Sequence, residues 1–403
     1  MMFFFSDSAL EACIDICACD HTSLSVDCSY SALDHVPTFN YLTFEAQTLK
    51  ISFNLIPHIH KDAFESPRLA ELTELYINDN QMQTIDPGAF APLKNLERLY
   101  AAMNRLTEIS ARNQADLHSL IYLDLSFNEF IKLSFQTPMS LRTLVFQYNG
   151  VQRLTNTSFS GLNKLQSLDM TFNPISSLES DGSSLVGLES IRSISFASNL
   201  FFTSPPASAF QEVAGTLESL SYHKNLRLQE LSPMDFSSLQ HLDVSFCKLG
   251  NIPNNTFSGA ATLQSIDVSY SEISTISRRA FSGLGQLTSL NLSGNVLYYL
   301  PYNSLLAVSS TLKVLVADFL PLTTIHAMQD EAAMNGTLME ALEDLSFSNN
   351  RLVNIQPNSF FSNLHNLKRL QLSSTKLDSV PRDALSALSS LELLEFNGNP
   401  ITK

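Results

Sequence analysis

Four of the five cysteines in this 403-residue chain lie close together: Cys13, Cys17, Cys19 and Cys28, in the spacing C-x3-C-x-C-x8-C. Such a cluster has two chemistries open to it. In an oxidising compartment it forms two disulfides, whose pairing the sequence leaves open among three connectivities. Alternatively four thiolates hold zinc tetrahedrally, and His21 lies close enough to join them. The fifth thiol, Cys247, stands alone and reads as a buried structural group, not a reactive one. The histidines offer less. His58 and His60 fall in the turn after the first strand, while His223 and His241 lie one or two repeats apart, either approaching as a metal or pH-sensing pair or solvated singly. No Ser, His and Asp set falls at a known catalytic spacing. Nor is there a Gly-rich phosphate loop, a metal-ligand helix motif or a strand–Gly–helix cofactor fingerprint. The expectation is a protein that is not an enzyme and carries no cofactor or metal.

What positions these residues is a repeat. The pattern Leu-x-x-Leu-x-Leu-x-x-Asn-x-Leu recurs about fifteen times at a period of about twenty-four residues. It is cleanest at Leu120, Leu123, Leu125, Asn128 and Phe130, at Leu165, Leu168, Met170, Asn173 and Ile175, and at Leu287, Leu290, Leu292, Asn295 and Leu297. A degenerate first unit runs through Leu49, Ile51, Asn54 and Ile56. Alternation in Leu-x-Leu predicts a short strand with one face buried and one wet, and stacked units make one parallel sheet. The recurring Asn, as at Asn80, Asn104, Asn128, Asn149, Asn173, Asn199, Asn225, Asn295, Asn350 and Asn399, is placed to bond the backbone of neighbouring turns; Cys247 replaces it in one unit. The second half of many units carries a Phe, such as Phe90, Phe159, Phe281 and Phe360, predicted to stack into a convex-side spine. From Leu312 to Leu342 the unit is longer, and the extra segment, His326 to Ala341, is expected to bulge from the convex side or flank. Units between Leu188 and Leu239 match weakly around Pro205, Pro206 and Arg227, which predicts a local change of curvature.

The cysteine cluster, followed by Ser29, Leu33, Val36 and Pro37 and then at once by the repeats, resembles the extracellular leucine-rich repeat proteins with a cysteine-rich amino-terminal cap. Toll-type receptors, Slit, chaoptin and the small leucine-rich proteoglycans are of this kind. The resemblance covers almost the whole chain. It implies an α/β fold, a leucine-rich repeat solenoid or horseshoe with a concave parallel β-sheet, convex loops or short helices, and a disulfide-capped amino terminus. It also implies the pairing Cys13 with Cys19 and Cys17 with Cys28. The cap then occupies residues 13–45 and the repeats 46–403, the last one truncated, with 1–12 a leader remnant or disordered segment. An oxidising, extracellular location follows from the disulfides, secreted or displayed on a cell. Residues 1–12 lack the basic and apolar regions of a signal peptide, and no window is apolar enough to span a membrane. The chain stops inside a repeat, so a further cap, span or lipid anchor signal is expected beyond Lys403.

In such folds recognition falls to the concave sheet. Its solvent-facing positions here include Tyr76, Asn78, Tyr100, Tyr122, Asp124, Phe127, Tyr148, Asp169 and Phe172, and further on His223, Lys224, His241, Asp243, Phe246, Asp267, Tyr270, Asp318 and Phe319. One stripe is acidic and another aromatic, and aromatic groups flanked by polar ones suit protein recognition. Tyr76 and Tyr100 break the acidic habit of their register, which makes the amino-terminal third the first choice for a ligand site. Acceptor sequons at Asn156, Asn254 and Asn335 fall on loops, whereas a glycan at Asn291 would cover the sheet. A net charge of −15 argues against nucleic acid. The expected partner is a protein ligand or a cell-surface or matrix protein, bound by the ectodomain of a receptor-like or adhesion protein. A secreted matrix or non-catalytic accessory protein, with self-association, is the alternative.

Overall fold

The computed structural model describes residues 13–201, 203–325, 339–355 and 360–402. Two compact units divide the chain, Met1–Pro174 with Ser183–Ile191, and Ile175–Gly182 with Arg192–Lys403.

In the first unit the chain opens with a hairpin, β1 (Ala18–Asp20) antiparallel to β2 (Ser25–Asp27). Parallel strands follow, β3 (Thr48–Lys50), β4 (Glu74–Tyr76), β5 (Arg98–Tyr100), β6 (Tyr122–Asp124), β7 (Thr143–Val145) and β8 (Ser167–Asp169). Each is three residues long because only the Leu-x-Leu core of a repeat alternates. Register is strict: Leu49, Leu75, Leu99, Leu123, Leu144 and Leu168 pair in turn. Every one of these leucines is buried while its strand neighbours stay half-exposed or exposed. Burying such a side chain is worth about 1.5–3 kcal/mol, so the column carries much of the unit's stability.

The second unit repeats the plan with β9 (Ser193–Ser195), β10 (Ser219–Ser221), β11 (His241–Asp243), β12 (Ser265–Asp267), β13 (Ser289–Asn291), β14 (Val314–Val316), β15 (Asp344–Ser346), β16 (Arg369–Gln371) and β17 (Leu393–Glu395). All are parallel. The weakly matching units after Leu188 keep their strands in register, Ile194 against Leu220 and Leu220 against Leu242, so their irregularity is confined to the connecting segments. Leu315 also pairs with Leu345, so the long unit leaves the sheet undisturbed; residues 326–338 of its extra segment lie outside the described residues.

Where each strand ends, the residue before the ladder position turns the chain through the left-handed region. Phe53, Asp79, Met103, Phe127, Tyr148 and Phe172 all do so in the first unit, with φ of 56°, 54°, 53°, 53°, 52° and 55°. That conformation costs a non-glycine residue about 1–2 kcal/mol. The ladder offsets it. Asn128, for example, donates from Nδ2 to the carbonyls of Ala101, Leu125 and Ser126 and accepts from the Leu106 N–H through Oδ1. Cys247 fills the same position with a buried thiol, which points toward the carbonyls of Tyr222 and Ser245 at 3.5 and 3.6 Å. Burial pushes its pKa up to about 12, as expected of an inert structural group.

The cap cysteines pair Cys13 with Cys19 and Cys17 with Cys28, as the resemblance implies. With all four sulfurs in disulfides no thiolate set remains for zinc, and the His21 ring packs against Phe44 at 4.5 Å. Among the described residues the phenylalanine spine forms only in segments. Phe64 stacks on Phe90 in the first unit and Phe257 on Phe281 in the second, each pair 6.1 Å apart. The stack beyond Phe90 is interrupted because the next turn is an α-helix, α1 (Ala111–Asp116), whose inward residues Asn113 and Gln114 are polar. Asn113 accepts from the Gly88 N–H, and Gln114 donates to the carbonyls of Ile109 and Ser134.

Candidate functional site

The wet face of the first unit's sheet gathers three tyrosines. Register places Tyr76 of β4 directly opposite Tyr100 of β5, and their rings stack at 4.2 Å with 5° between planes. Tyr122 enters from β6 one column over, opposite Arg98, and its ring lies 5.0 Å from Tyr100, tilted by 40°. Charged groups hold this cluster from both sides. Tyr76 Oη donates to Glu74 Oε2 at 2.9 Å, Arg98 Nε lies 3.6 Å from Glu74 Oε1, and Lys50 Nζ sits 5.6 Å above the Tyr76 ring. Partial burial, then the Glu74 hydrogen bond, then Tyr100 push the Tyr76 phenol well above its ordinary pKa. Burial, then the charge of Asp124, raises that of Tyr122. Both phenols therefore stay neutral donors across the physiological range. Asn78, two residues past β4, accepts from Ser52 Oγ at 2.7 Å and donates to Asp79.

A second aromatic column runs through the left-handed positions. Phe127, Tyr148 and Phe172 stack successively at 4.2 and 4.1 Å, and each is about 40 % exposed, at 40, 40 and 42 %. Tyr30 and Phe53 stack at 4.4 Å on the cap side of the same unit, with Tyr30 75 % exposed. Sequence reading missed this pair. Phe53 directly precedes the ladder residue Asn54, which is the signal that would have found it.

The acidic stripe has a different job. Asp124 Oδ1 accepts from both the N–H and the hydroxyl of Ser126, and Asp169 Oδ1 from the Thr171 N–H. Asp243 and Asp267 in the second unit bond Ser245 and Ser269 in the same way. These carboxylates cap the turns that follow their own strands, so one oxygen of each is committed to the fold.

In the second unit His223 and His241 do not form the pair that sequence spacing allowed. His241 opens β11 and shares a hydrogen bond with Ser265 Oγ at 2.8 Å, whereas His223 lies two residues beyond β10, bonded to Ser245 Oγ at 2.7 Å with its ring against Phe246. Phe246 and Tyr270 stack at 4.7 Å, beneath Lys224 Nζ at 5.8 Å from the Phe246 ring. Gly294 follows in the column with φ 69°; a Cβ there would stand 2.3 Å from the Tyr270 ring, so only glycine lets that ring lie flat against the turn.

Asn291 lies on β13 with its Nδ2 donating to Asp267 Oδ2 at 3.1 Å, so a glycan on it would take one of that nitrogen's two hydrogens beside Asp267. Asn156 and Asn254 are exposed on connecting segments, and Asn335 lies outside the described residues. Among the described residues one group of three potential metal-ligating side chains, His58, His60 and Asp86, brings its ligand atoms within 4.8 Å of one another. It lies beside the sheet on connecting segments, and His58 belongs there to a two-residue strand, not to the plain turn its position suggested.

The sequence profile described as leucine rich repeat matches residues 45–106, 70–130, 237–297 and 340–401, and that of the BspA type leucine rich repeat region matches 128–246. No curated protein sequence matches the chain. An LRR protein of Leptospira interrogans is similar in structure, with a TM-score of 0.62 at 19 % identity over 93 % of this chain and 90 % of that one. So is Toll of Drosophila, in the structure of the Toll–Spätzle complex, with a TM-score of 0.67 at 22 % identity over 88 % of this chain; the match spans 48 % of the Toll chain.

Proposed function

The chain belongs to the leucine-rich repeat proteins, and from that premise we propose that it is an extracellular recognition module, the ligand-binding or adhesion ectodomain of a receptor-like protein. The stacked Tyr76 and Tyr100, with Tyr122 tilted against them, carry this reading. Three phenol rings packed together on the sheet, framed by Lys50, Glu74 and Arg98, combine apolar area, hydrogen-bonding hydroxyls and little entropy left to lose, which are the properties of binding hot spots. The disulfide-bonded cap supports an oxidising compartment. That the related Toll chain is seen in complex with Spätzle supports a protein as the ligand class. The adjoining Phe127, Tyr148 and Phe172 extend the proposed surface, with Asn78, Asp124 and Asp169 at its edges.

The test is an extracellular-protein binding screen with the disulfide-bonded chain, repeated with the Tyr76→Ala/Tyr100→Ala double variant. The expected result is a partner whose affinity drops by at least about 30-fold in the variant while the circular dichroism is unchanged. A partner indifferent to both tyrosines, or self-association alone, would overturn the reading in favour of a matrix or accessory protein.

A further inference from the structure

We propose that His58, His60 and Asp86 form a binding site for a divalent transition-metal ion, with zinc the best fit to the donor set. The site arises from two adjacent turns of the first unit. In His58-Ile59-His60 the middle residue is fully buried, so alternation sends both imidazoles to the outer face of a short strand. That strand pairs in parallel with Thr84–Ile85, His58 opposite Thr84 and Ile59 opposite Ile85, and the Asp86 N–H donates to the Ile59 carbonyl at 2.9 Å. The register carries Asp86 to the place beside His60 on the same outer face.

One ligand atom from each residue lies within 4.8 Å of the other two. His58 Nε2 is 3.2 Å from Asp86 Oδ1 and His60 Nδ1 is 3.9 Å from Asp86 Oδ2, with the two imidazole centroids 4.4 Å apart. Ligands bound to zinc at about 2.0–2.1 Å sit about 3.3 Å from each other in a tetrahedron. Asp86 turns one oxygen toward each imidazole, Oδ1 at that spacing from His58 and Oδ2 somewhat beyond it from His60, so an ion seated between the three side chains needs a small rotation of His60, whose side chain is 68 % exposed, or of the carboxylate.

The neighbouring groups favour ligation. His58 Nδ1 is 2.5 Å from Thr84 Oγ1, and in the tautomer with the proton on Nδ1 the hydroxyl accepts it, which leaves the Nε2 lone pair facing Asp86. A hydrogen bond on the far nitrogen is the usual device for fixing a metal-binding imidazole. Asp86 Oδ2 accepts from the Lys61 N–H at 3.0 Å, which holds the carboxylate in place. Two imidazoles and one carboxylate suit zinc, copper or nickel far better than magnesium or calcium. With side-chain exposures of 26, 68 and 39 %, the cluster leaves coordination positions open to water or to a side chain of a bound protein. An ion there would also tie one turn of the solenoid to the next.

The plain alternative is a histidine–aspartate ion pair with no ion. Titrating the chelator-treated, disulfide-intact chain with zinc chloride by calorimetry separates the two. The expected result is one saturable site per chain, weakened at least about tenfold in His60→Ala and in Asp86→Asn but unchanged in His118→Ala. Zinc should raise the Tm of the wild type and leave that of the first two variants where it was, and magnesium chloride should give no saturable binding. Zinc uptake no tighter in the wild type than in His60→Ala, or weakened equally in His118→Ala, would overturn the proposal. His60 and His118 are both exposed, so neither substitution disturbs the core.

Discussion

At the scale of single residues the second unit contains a side chain that its surroundings do not fully satisfy. Tyr222 stands just after β10, at a position where other turns carry Leu125, Met170 or Val244, and it is 1 % exposed between Phe196 and Phe201. Its hydroxyl is buried with no hydrogen-bond partner among the described residues. Burial alone pushes its pKa well above the ordinary tyrosine value, so it is a neutral phenol whose polar atom has lost water and gained nothing. Tyr222→Phe keeps the ring packing and removes the unsatisfied group. The variant should be more stable by up to about 1 kcal/mol, visible as a higher urea midpoint at unchanged m-value. A loss of stability would mean that the hydroxyl is bonded to ordered water, which the substitution would evict.

At the scale of the repeating element, the ladder residue decides how much a turn contributes. Asn128 is 8 % exposed and satisfies three carbonyls and one N–H, two of these four groups belonging to the preceding turn. Asn128→Ala leaves the Leu106 N–H without a partner and takes one donor from each of the three carbonyls, which keep Asn104, Asn149 and the Met103 N–H, and the expected cost, read from the urea midpoint, is about 2–3 kcal/mol. Cys247→Ala, at the equivalent position, removes only two long sulfur contacts and should cost about 1 kcal/mol, mostly from lost packing. Equal costs would mean that the ladder hydrogen bonds add nothing beyond filling space. The same comparison shows what could be read from sequence. The leucine column, the ladder and the Tyr76–Tyr100 register were legible because each follows from the position of a residue within its repeat. Interruption of the phenylalanine spine by Asn113 and Gln114 was not, since it depends on one turn becoming the α1 helix. Nor was the meeting of His58, His60 and Asp86. His60 and Asp86 are separated by about one repeat length, but only the pairing of two-residue strands beside the main sheet brings them together.

At the scale of the whole molecule, stability in a solenoid passes from each turn to its neighbours, and the turn at the end needs a cover. In the first unit the cover is the disulfide-bonded hairpin. Val26 and Cys28 are fully buried and Phe39 and Leu42 nearly so; the Cys28 N–H donates to the Lys50 carbonyl, binding the cap to β3. The two disulfides close loops with sequence separations of 6 and 11, each worth about 2–3 kcal/mol in the chain-entropy account. Reduction should therefore loosen the unit from one end. Hydrogen exchange should quicken at amides such as Cys28 and Ile51, which bond across β2, β3 and β4, while that at Leu125, bonded to the Val145 carbonyl several turns away, keeps its rate. Uniform acceleration from Cys28 to Leu125 would show that the unit opens as one cooperative block. In that case the Tyr76–Tyr100 surface would depend directly on the cap for its rigidity. If exchange fades with distance from the cap, the stack at β4 and β5 is steadied mainly by the turns on either side of it. A recognition surface a few turns in from the cap would then retain its shape when the disulfides are reduced.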